Sequence, residues 1–255
     1  MPSCRDYPLS PLIYNNVYMA NCITRHIPNA LTSSNLICGC IATAFAVGGC
    51  YEKALLFIIL GAAFDFFDGM SARLLNVSSP IGKELDSLAD DITFGVAPSA
   101  MVFGVLYTHD YPDWLQGVSP ILPYLAFVMA AFSAIRLAKF NLDERQTTSF
   151  IGVPTPANAL FWGSLIVGCE DIMSISPYMT LLTIAMVLVC SYLLVAELPM
   201  FALKFKHWGW KGNEVKYVFI LSSLPLLAIF GIAGIAVVIG WYVILAVISN
   251  HYKLT

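Results

Sequence analysis

Four aspartates at helical spacing stand out in a sequence that is otherwise mostly apolar. Asp65 and Asp68 are three residues apart, and Asp86 and Asp90 are four residues apart. On α-helices each pair projects from one face, and a short turn can bring the two faces together. Convergent carboxylates repel one another and resist burial, so they need positive charge between them. Hard cations such as Mg²⁺, Mn²⁺ or Ca²⁺ prefer oxygen ligands, and the spacing therefore predicts a metal site.

The number of cations stays open at this point. Two closely spaced cations would neutralise the acids, polarise a phosphoryl oxygen and activate a bound hydroxyl, and a single cation is the alternative. A structural interpretation places one or two of the acids at helix ends on the membrane surface. That interpretation explains Asp86 or Asp91 alone, but it does not explain four acids together.

Small residues and one cation accompany the acids. Gly69 and Ala72 share the first helix, and Gly82 precedes the second pair of acids. They allow either a ligand or a neighbouring helix to approach closely, and spacing alone does not separate these uses. Arg73 can bind phosphate through two parallel hydrogen bonds, or it can simply place its charge at the membrane surface from a helix end.

The composition is that of a membrane protein. Of 255 residues, 58% are hydrophobic and 11% are charged, and the mean hydropathy is +0.76. Soluble domains have about 25% charged residues. The net charge of −3 and the lack of a basic tract give no indication of nucleic-acid binding. The seven cysteines are scattered without a C-x-x-C pair, which favours helix packing over a disulfide or zinc framework.

Apolar runs of about 20 residues predict an all-α integral membrane bundle. The predicted spans lie at about 31–49, 53–74, 85–107, 119–140, 156–172 and 178–198. Residues 217–250 would form a straight helix about 51 Å long at 1.5 Å per residue, too long for one crossing. A turn near residue 232 makes two further spans and eight in total, and one kinked helix makes seven.

The first 30 residues predict a short interfacial helix from a weak amphipathic pattern. Thr32 or Ser33 would cap the first span, or this polar run would help to line a site. We therefore expect an N-terminal segment at 1–30, a six-helix catalytic domain at 31–200, and a loop with a transmembrane hairpin at 201–255.

Positive charge predicts the orientation. With these eight spans, twelve of the thirteen Lys and Arg residues fall on one side, and only Lys53 falls on the other. By the positive-inside rule, both termini and the acidic cluster face the cytoplasm.

The acidic stretch also resembles a known family. Asp65-x-x-Asp68-Gly69-x-x-Ala72-Arg73-x8-Gly82-x3-Asp86-x3-Asp90 is similar at every fixed position to the signature of the CDP-alcohol phosphotransferase family. The resemblance implies six core transmembrane helices, a frequent homodimer and a site for two divalent cations (Mg²⁺ or Mn²⁺). Members displace CMP from a CDP-activated alcohol with the hydroxyl of a second alcohol.

The family's site residues carry over to matching positions in this chain. Asp65, Asp68 and Asp86 would bind metal, and Asp90 would approach the second metal and act as the base. The resemblance further places Gly69, Ala72 and Gly82 against the cytidine nucleotide and Arg73 near its phosphates.

Four further segments look like the phosphatidylserine synthase branch of this family, so the resemblance covers roughly residues 25–200. They are residues 27–35, 84–98, 136–141 and 150–157. This implies CDP-diacylglycerol as the donor and L-serine as the acceptor, with glycerol 3-phosphate or inositol phosphate as alternative acceptors. Lys139 stands where many relatives have Arg, and Thr155 where Ser is frequent.

The candidates for binding serine or the lipid phosphate lie at the fourth-to-fifth junction: Arg136, Lys139, Pro154, Thr155 and Pro156. Arg136 and Lys139 are three residues apart, so two cations can share one helix face, although both also suit a positive helix end. Pro154 and Pro156 predict a rigid start to the next helix.

A cation-coupled transporter is the alternative from another class. It predicts acids distributed along a route through the membrane, whereas these acids cluster toward one side. We expect a bacterial inner membrane, and an endoplasmic reticulum membrane is the alternative.

Overall fold

Helices account for nearly all of the regular structure. The computed structural model describes residues 11–77, 79–142, 150–201, 209–210 and 212–252. The helices are α1 (Pro11–Val47), α2 (Tyr51–Leu74), α3 (Pro80–Asp90), α4 (Ala97–Thr108), α5 (Val128–Leu142), α6 (Thr155–Met173), α7 (Pro177–Val195), α8 (Glu214–Phe230) and α9 (Ala233–Tyr252). A π-helical turn (Asp91–Val96) joins α3 to α4, and two 3₁₀ turns (Asp113–Leu115 and Leu122–Phe127) precede α5.

Six segments in the described part of the chain are long and apolar enough to cross a membrane. They are His26–Val47, Tyr51–Leu74, Pro80–Thr108, Leu122–Leu142, Pro177–Val195 and Ala233–Asn250. The third joins α3, the π-turn and α4 into one crossing. The prediction of an all-α integral membrane protein is therefore confirmed.

The other two predicted spans are also helices, although they do not meet the same length and hydropathy criteria. Helix α8 has 17 residues, or about 25 Å at 1.5 Å per residue. Helix α6 carries Glu170 and Asp171 near its end and bends at Cys169 (φ −136°). The tail turns where the sequence predicted, because α8 ends at Phe230 and α9 begins at Ala233.

The first helix extends across the expected boundary between the N-terminal segment and the first membrane span. Helix α1 is continuous from Pro11 to Val47 and contains Pro28, so the expected boundary at residue 30 falls inside a helix. The prediction that Thr32 or Ser33 caps this helix is wrong. Both hydroxyls lie in the helix interior: Ser33 Oγ donates to Asn29 O one turn back at 2.7 Å, and Thr32 Oγ1 lies 3.0 Å from Pro28 O.

The main core lies where α2, α4 and α6 meet. Ile58, Met101 and Trp162 are among its fully buried side chains. Lipid is as apolar as these side chains, so close packing rather than water exclusion stabilises the contact. Glycine permits that packing at Gly163, where an added Cβ would lie 2.7 Å from Leu55 Cδ1.

A short antiparallel pair, β1 (Phe150–Ile151) with β2 (Pro199–Met200), holds the residues that precede α6. Gly152 N donates to Leu198 O at 2.9 Å, and the φ of Gly152 is +76°, a left-handed conformation that favours glycine. Helix α9 supports β2, since Asn250 Nδ2 donates to Pro199 O at 2.7 Å. The start of α6 is thus braced by the far end of the chain.

Candidate metal and nucleotide site

Three acids from two helices converge at one end of the bundle. The carboxylate oxygens of Asp65 and Asp68 on α2 and Asp86 on α3 all lie within 4.8 Å of one another. Helix α3 begins sharply, with Ser79 Oγ accepting from Gly82 N at 2.9 Å and Pro80 in the first turn. This start sets Asp86 against α2. Asp86 Oδ1 is buried without a hydrogen-bond partner among the described residues. Three clustered oxygen donors, one lacking a partner, fit a hard divalent cation.

Asp90 lies one turn beyond Asp86 and outside the three-carboxylate group. Its Oδ1 accepts a 3.0 Å hydrogen bond from Asn35 Nδ2 on α1. The structure thus brings three of the four predicted metal ligands together and gives the fourth acid a different neighbour. A role for Asp90 at a second cation stays a prediction.

Helix α1 contributes to the site in a way that sequence reasoning did not assign. Thr32 Oγ1 donates a 2.6 Å hydrogen bond to Asp68 Oδ2, and Asn35 donates to Asp90. The available signal was the spacing of Asn29, Thr32 and Asn35, which puts polar residues three apart on one face of an apolar helix. We expected this run either to cap the helix or to line a site, and it lines the site.

A cleft of about 250 Å³ opens beside the acids. Its walls include the predicted nucleotide-binding residues Gly69, Ala72 and Gly82, together with Asn29 and Lys83. An added Cβ on Gly69 would have no neighbour closer than 3.9 Å, so this wall is open. Small residues therefore give a ligand access to the backbone of both helices.

Two cations lie near the cleft, and their surroundings differ. Arg73 is exposed, and its Nε donates to Gly69 O on its own helix at 2.8 Å instead of lining the cleft. Lys83, which we assigned only to the positive side of the membrane, lines the cleft. Its Nζ donates to Asn141 O at 3.0 Å, and Asn141 Nδ2 donates to Ser87 Oγ at 2.7 Å, which joins the end of α5 to α3.

The residues predicted to bind the acceptor have unequal surroundings. Arg136 is 8% exposed and interacts electrostatically with Asp90, whereas Lys139 is exposed, so these two cations do not share one environment. Thr155 is buried at the start of α6, between the half-buried Pro154 and Pro156.

Several polar atoms near this region have no partner among the described residues. Arg136 Nε, Thr155 Oγ1 and Asn158 Nδ2 are all buried in this state. Buried polar groups are normally paired, so these atoms are available to a polar ligand or to water. Sequence reasoning did not identify Asn158, although its position three residues after Thr155 puts it on the same helix face.

A π-helical turn directly follows Asp90. π-Helical turns are rare in proteins, and those that occur are often found at functional sites. Here the turn meets α5 at Gly95, where an added Cβ would lie 2.6 Å from Asp91 Oδ1 and 2.9 Å from Ser133 Oγ. Asp90 is therefore held between α1 on one side and the α5 contact on the other.

These features define an all-α membrane protein with a carboxylate metal site beside an open cleft. The model of the CDP-alcohol phosphatidyltransferase family matches residues 25–192, and the chain belongs to this family. The resemblance in the acidic motif is thereby confirmed, and the protein is a membrane-embedded phosphotransferase of a family that uses divalent metal.

Curated relatives extend this result. A Bacillus subtilis (strain 168) protein is 41% identical over 136 residues, which cover 51% of this chain and 70% of the relative. A Helicobacter pylori (strain J99) protein is 30% identical over 229 residues, covering 87% and 89%. A Saccharomyces cerevisiae protein is 35% identical over 151 residues, covering 55% and 50%. All three are named CDP-diacylglycerol–serine O-phosphatidyltransferase.

Proposed function

We propose that this protein transfers the phosphatidyl group of CDP-diacylglycerol to the hydroxyl of L-serine, giving phosphatidylserine and CMP. The observation that carries the proposal is the group of Asp65, Asp68 and Asp86 beside the small-residue cleft, within a family of CDP-alcohol phosphatidyltransferases. The names of the three relatives support serine as the acceptor.

Two divalent cations, Mg²⁺ or Mn²⁺, complete the site in this proposal. Asp65, Asp68 and Asp86 would hold metal, and Asp90 would approach the second cation. When bound, the cations supply positive charge that offsets the charge of the diphosphate and of the departing CMP.

The cleft holds the cytidine nucleotide against Gly69, Ala72 and Gly82. Their lack of bulk lets the nucleotide approach the backbones of α2 and α3. Lys83 lines the cleft and Arg73 lies one turn beyond Gly69, so both can bring positive charge to a diphosphate in this position. The acyl chains stay in the bilayer.

The transfer is a single in-line displacement. The hydroxyl oxygen of serine forms a bond to the β-phosphorus, the bond from that phosphorus to CMP breaks, and Asp90 accepts the hydroxyl proton. A base is needed because alcohol hydroxyls are weak nucleophiles near neutral pH.

The acceptor binds between Asp90 and the start of α6. L-Serine carries a carboxylate, for which Arg136 supplies a buried guanidinium whose Nε has no partner among the described residues. Thr155, set by Pro154 and Pro156, adds a buried hydroxyl, and the exposed Lys139 attracts anions at the mouth of the site.

The placement in the cell follows from charge and family. Residues 31–200 form the catalytic unit, with the N-terminal segment and the C-terminal hairpin attached to it. The protein lies in a bacterial inner membrane as a homodimer, with both termini and the acids facing the cytoplasm. The distribution of Lys and Arg supports this orientation.

The deciding experiment incubates purified protein and CDP-diacylglycerol with labelled serine, glycerol 3-phosphate or inositol phosphate. We expect CMP release and labelled lipid with serine alone. Asp90→Asn should fold and lose nearly all activity, whereas Asp113→Asn, an exposed acid between α4 and α5, should match wild type. Turnover with another acceptor would overturn the choice of serine, and wild-type turnover by Asp90→Asn would overturn the role of Asp90.

A further inference from the structure

Asn35 is the most enclosed polar residue in contact with the proposed base. It lies within α1 and its side chain is completely buried. Its Nδ2 donates to Asp90 Oδ1 at 3.0 Å, and its backbone carbonyl accepts from Thr93 Oγ1 at 3.0 Å. Asp90 and Thr93 are three residues apart, so one face of the α3-to-π-turn segment contacts Asn35 twice.

The surroundings of Asn35 leave its amide little freedom to rotate. An added Cβ on Gly61 of α2 would lie 2.9 Å from Asn35 Oδ1 and 2.6 Å from Thr93 Cγ2. An added Cβ on Gly39 would overlap Thr93 Oγ1. Helices α1 and α2 and the π-turn therefore meet at Asn35 without space for another side-chain conformation.

The chemistry of the amide determines its orientation. A carboxylate accepts hydrogen bonds and does not donate them, so the NH₂ group must face Asp90. Asn35 Oδ1 then points toward α2, where it has no hydrogen-bond partner among the described residues. An unpaired buried amide oxygen is unfavourable, and the hydrogen bond from Nδ2 to Asp90 is the contact that offsets this cost.

We propose that Asn35 is a positioning residue for Asp90, and this inference rests on the function proposed above. The amide holds Asp90 Oδ1 and so directs Oδ2 toward the acceptor hydroxyl. Asn35 touches neither substrate, and it acts only through the orientation of the base.

The test compares substitutions that remove the donor with one that removes only the neighbouring contact. Asn35→Ala removes the side chain, and Asn35→Leu keeps a similar shape without a donor. Thr93→Val removes the hydrogen bond to the carbonyl of Asn35 and leaves the amide in place. Each variant is purified with its metal, and kcat, the KM for CDP-diacylglycerol and the equilibrium binding of CMP are measured.

For both Asn35 variants we expect kcat to fall about 10- to 100-fold, as for other residues that orient a ligand or base. The KM for CDP-diacylglycerol and the CMP affinity should stay within about twofold of wild type, since the amide does not touch the donor cleft, and Thr93→Val should retain kcat. Unchanged kcat in Asn35→Leu would overturn the proposal. Parallel losses of kcat and CMP binding in a folded variant would also overturn it, because they indicate general disruption.

The assay separates this inference from the choice of acceptor. If glycerol 3-phosphate or inositol phosphate proves to be the acceptor, serine is wrong, and the Asn35 variants are then assessed with the active acceptor. If no acceptor supports CMP release by the wild-type protein, Asp90 is not a base in this reaction and the role of Asn35 is overturned with it.

Discussion

Thr32 Oγ1 on α1 donates a 2.6 Å hydrogen bond to Asp68 Oδ2 on α2. Both residues are buried, and both line the cleft. A buried carboxylate oxygen that accepts such a bond has a fixed direction, and the second oxygen is left to face the other acids. Helix α1 is therefore part of the metal site although it carries none of the clustered carboxylates.

Replacing Thr32 should weaken metal binding more than it weakens folding. Thr32→Val keeps the branched shape and removes the donor, so Asp68 loses its orientation. We expect the Mg²⁺ or Mn²⁺ concentration for half-maximal CMP release to rise about 10- to 100-fold. Thr32→Ser keeps a hydroxyl and should stay near wild type. An unchanged metal requirement in Thr32→Val would show that the hydrogen bond does not orient Asp68.

Metal removal should expose the mutual repulsion of the acids. EDTA should abolish CMP release, and added Mg²⁺ or Mn²⁺ should restore it and raise the unfolding temperature in detergent, because a ligand that binds the folded state stabilises it. Asp86→Asn should have opposite effects in the two forms. In the metal-free protein the substitution relieves repulsion between the acids and should raise the unfolding temperature. In the presence of metal it removes a metal ligand, so the metal should raise the unfolding temperature by less than in wild type.

If added metal raised the unfolding temperature equally in wild type and in Asp86→Asn, the cation would bind elsewhere. Asp113→Asn is the matched control, because this acid is exposed on the segment between α4 and α5. It should change neither the metal dependence nor the unfolding temperature.

Two glycines of the cleft should respond differently to alanine. At Gly82 the new methyl group would lie 2.9 Å from Ser79 Oγ and 3.0 Å from Asn29 Oδ1, so the cap of α3 must shift. We expect Gly82→Ala to lower stability by about 1 kcal/mol and to raise the KM for CDP-diacylglycerol. Gly69→Ala meets nothing within 3.8 Å and should fold as wild type, with its nearest neighbour, Arg73 Nη2, at 3.9 Å.

Gly69→Ala therefore tests contact with the ligand without a change in the stability of the fold. If the nucleotide packs on Gly69, the KM should rise about tenfold, which corresponds to about 1.4 kcal/mol. A normal KM in Gly69→Ala would place the nucleotide elsewhere in the cleft.

The brace in front of α6 should depend on Gly152. Its left-handed backbone and the 2.6 Å approach of an added Cβ to Leu194 O exclude a side chain. Gly152→Ala should lower stability by about 1–3 kcal/mol, measured by thermal unfolding in detergent, and should raise the KM for serine. Gly117→Ala, with nothing within 4 Å of the new methyl group, is the control and should be neutral. Equal stability of Gly152→Ala and Gly117→Ala would contradict the interpretation that the β1–β2 pairing braces the start of α6.

The proposed orientation predicts which side of the membrane presents Cys50. This cysteine is exposed between α1 and α2, next to Lys53 and opposite the acidic end of α2. In cells that have an intact inner membrane and from which any outer membrane has been removed, a membrane-impermeant maleimide should label Cys50. Cys50→Ser should remove that label. Labelling of Cys50 only in inverted vesicles would reverse the orientation.

Local spacing predicted the clustering of the acids because each pair lies within one turn of its own helix. Asp65, Asp68 and Asp86 therefore had to converge once α2 and α3 folded back on each other. The contacts made by α1 depend on packing between residues far apart in sequence, 36 residues for Thr32 with Asp68 and 55 residues for Asn35 with Asp90. No local pattern distinguishes such a partner from a polar residue that bonds to its own helix.

The sequence also did not predict two features of the backbone, the continuity of α1 and the turn after Asp90. Pro28 normally ends or bends a helix, yet α1 runs through it without a break. The π-turn after Asp90 could not be predicted from the sequence either, because apolar periodicity over six residues does not distinguish an α-helical from a π-helical hydrogen-bonding pattern. Composition predicted the membrane class, and tertiary contacts decided these local details.

The pairing of β1 with β2 also imposes an order on biogenesis. The walls of the nucleotide cleft lie between Pro28 and Asp86, so that half of the site emerges from the ribosome early. The strand that secures Phe150–Ile151 is Pro199–Met200, which emerges only after α6 and α7, and Asn250, which supports that strand, emerges later still. A nascent chain can therefore form the cleft beside the acids long before the start of α6 is secured, and these two regions mature at different times.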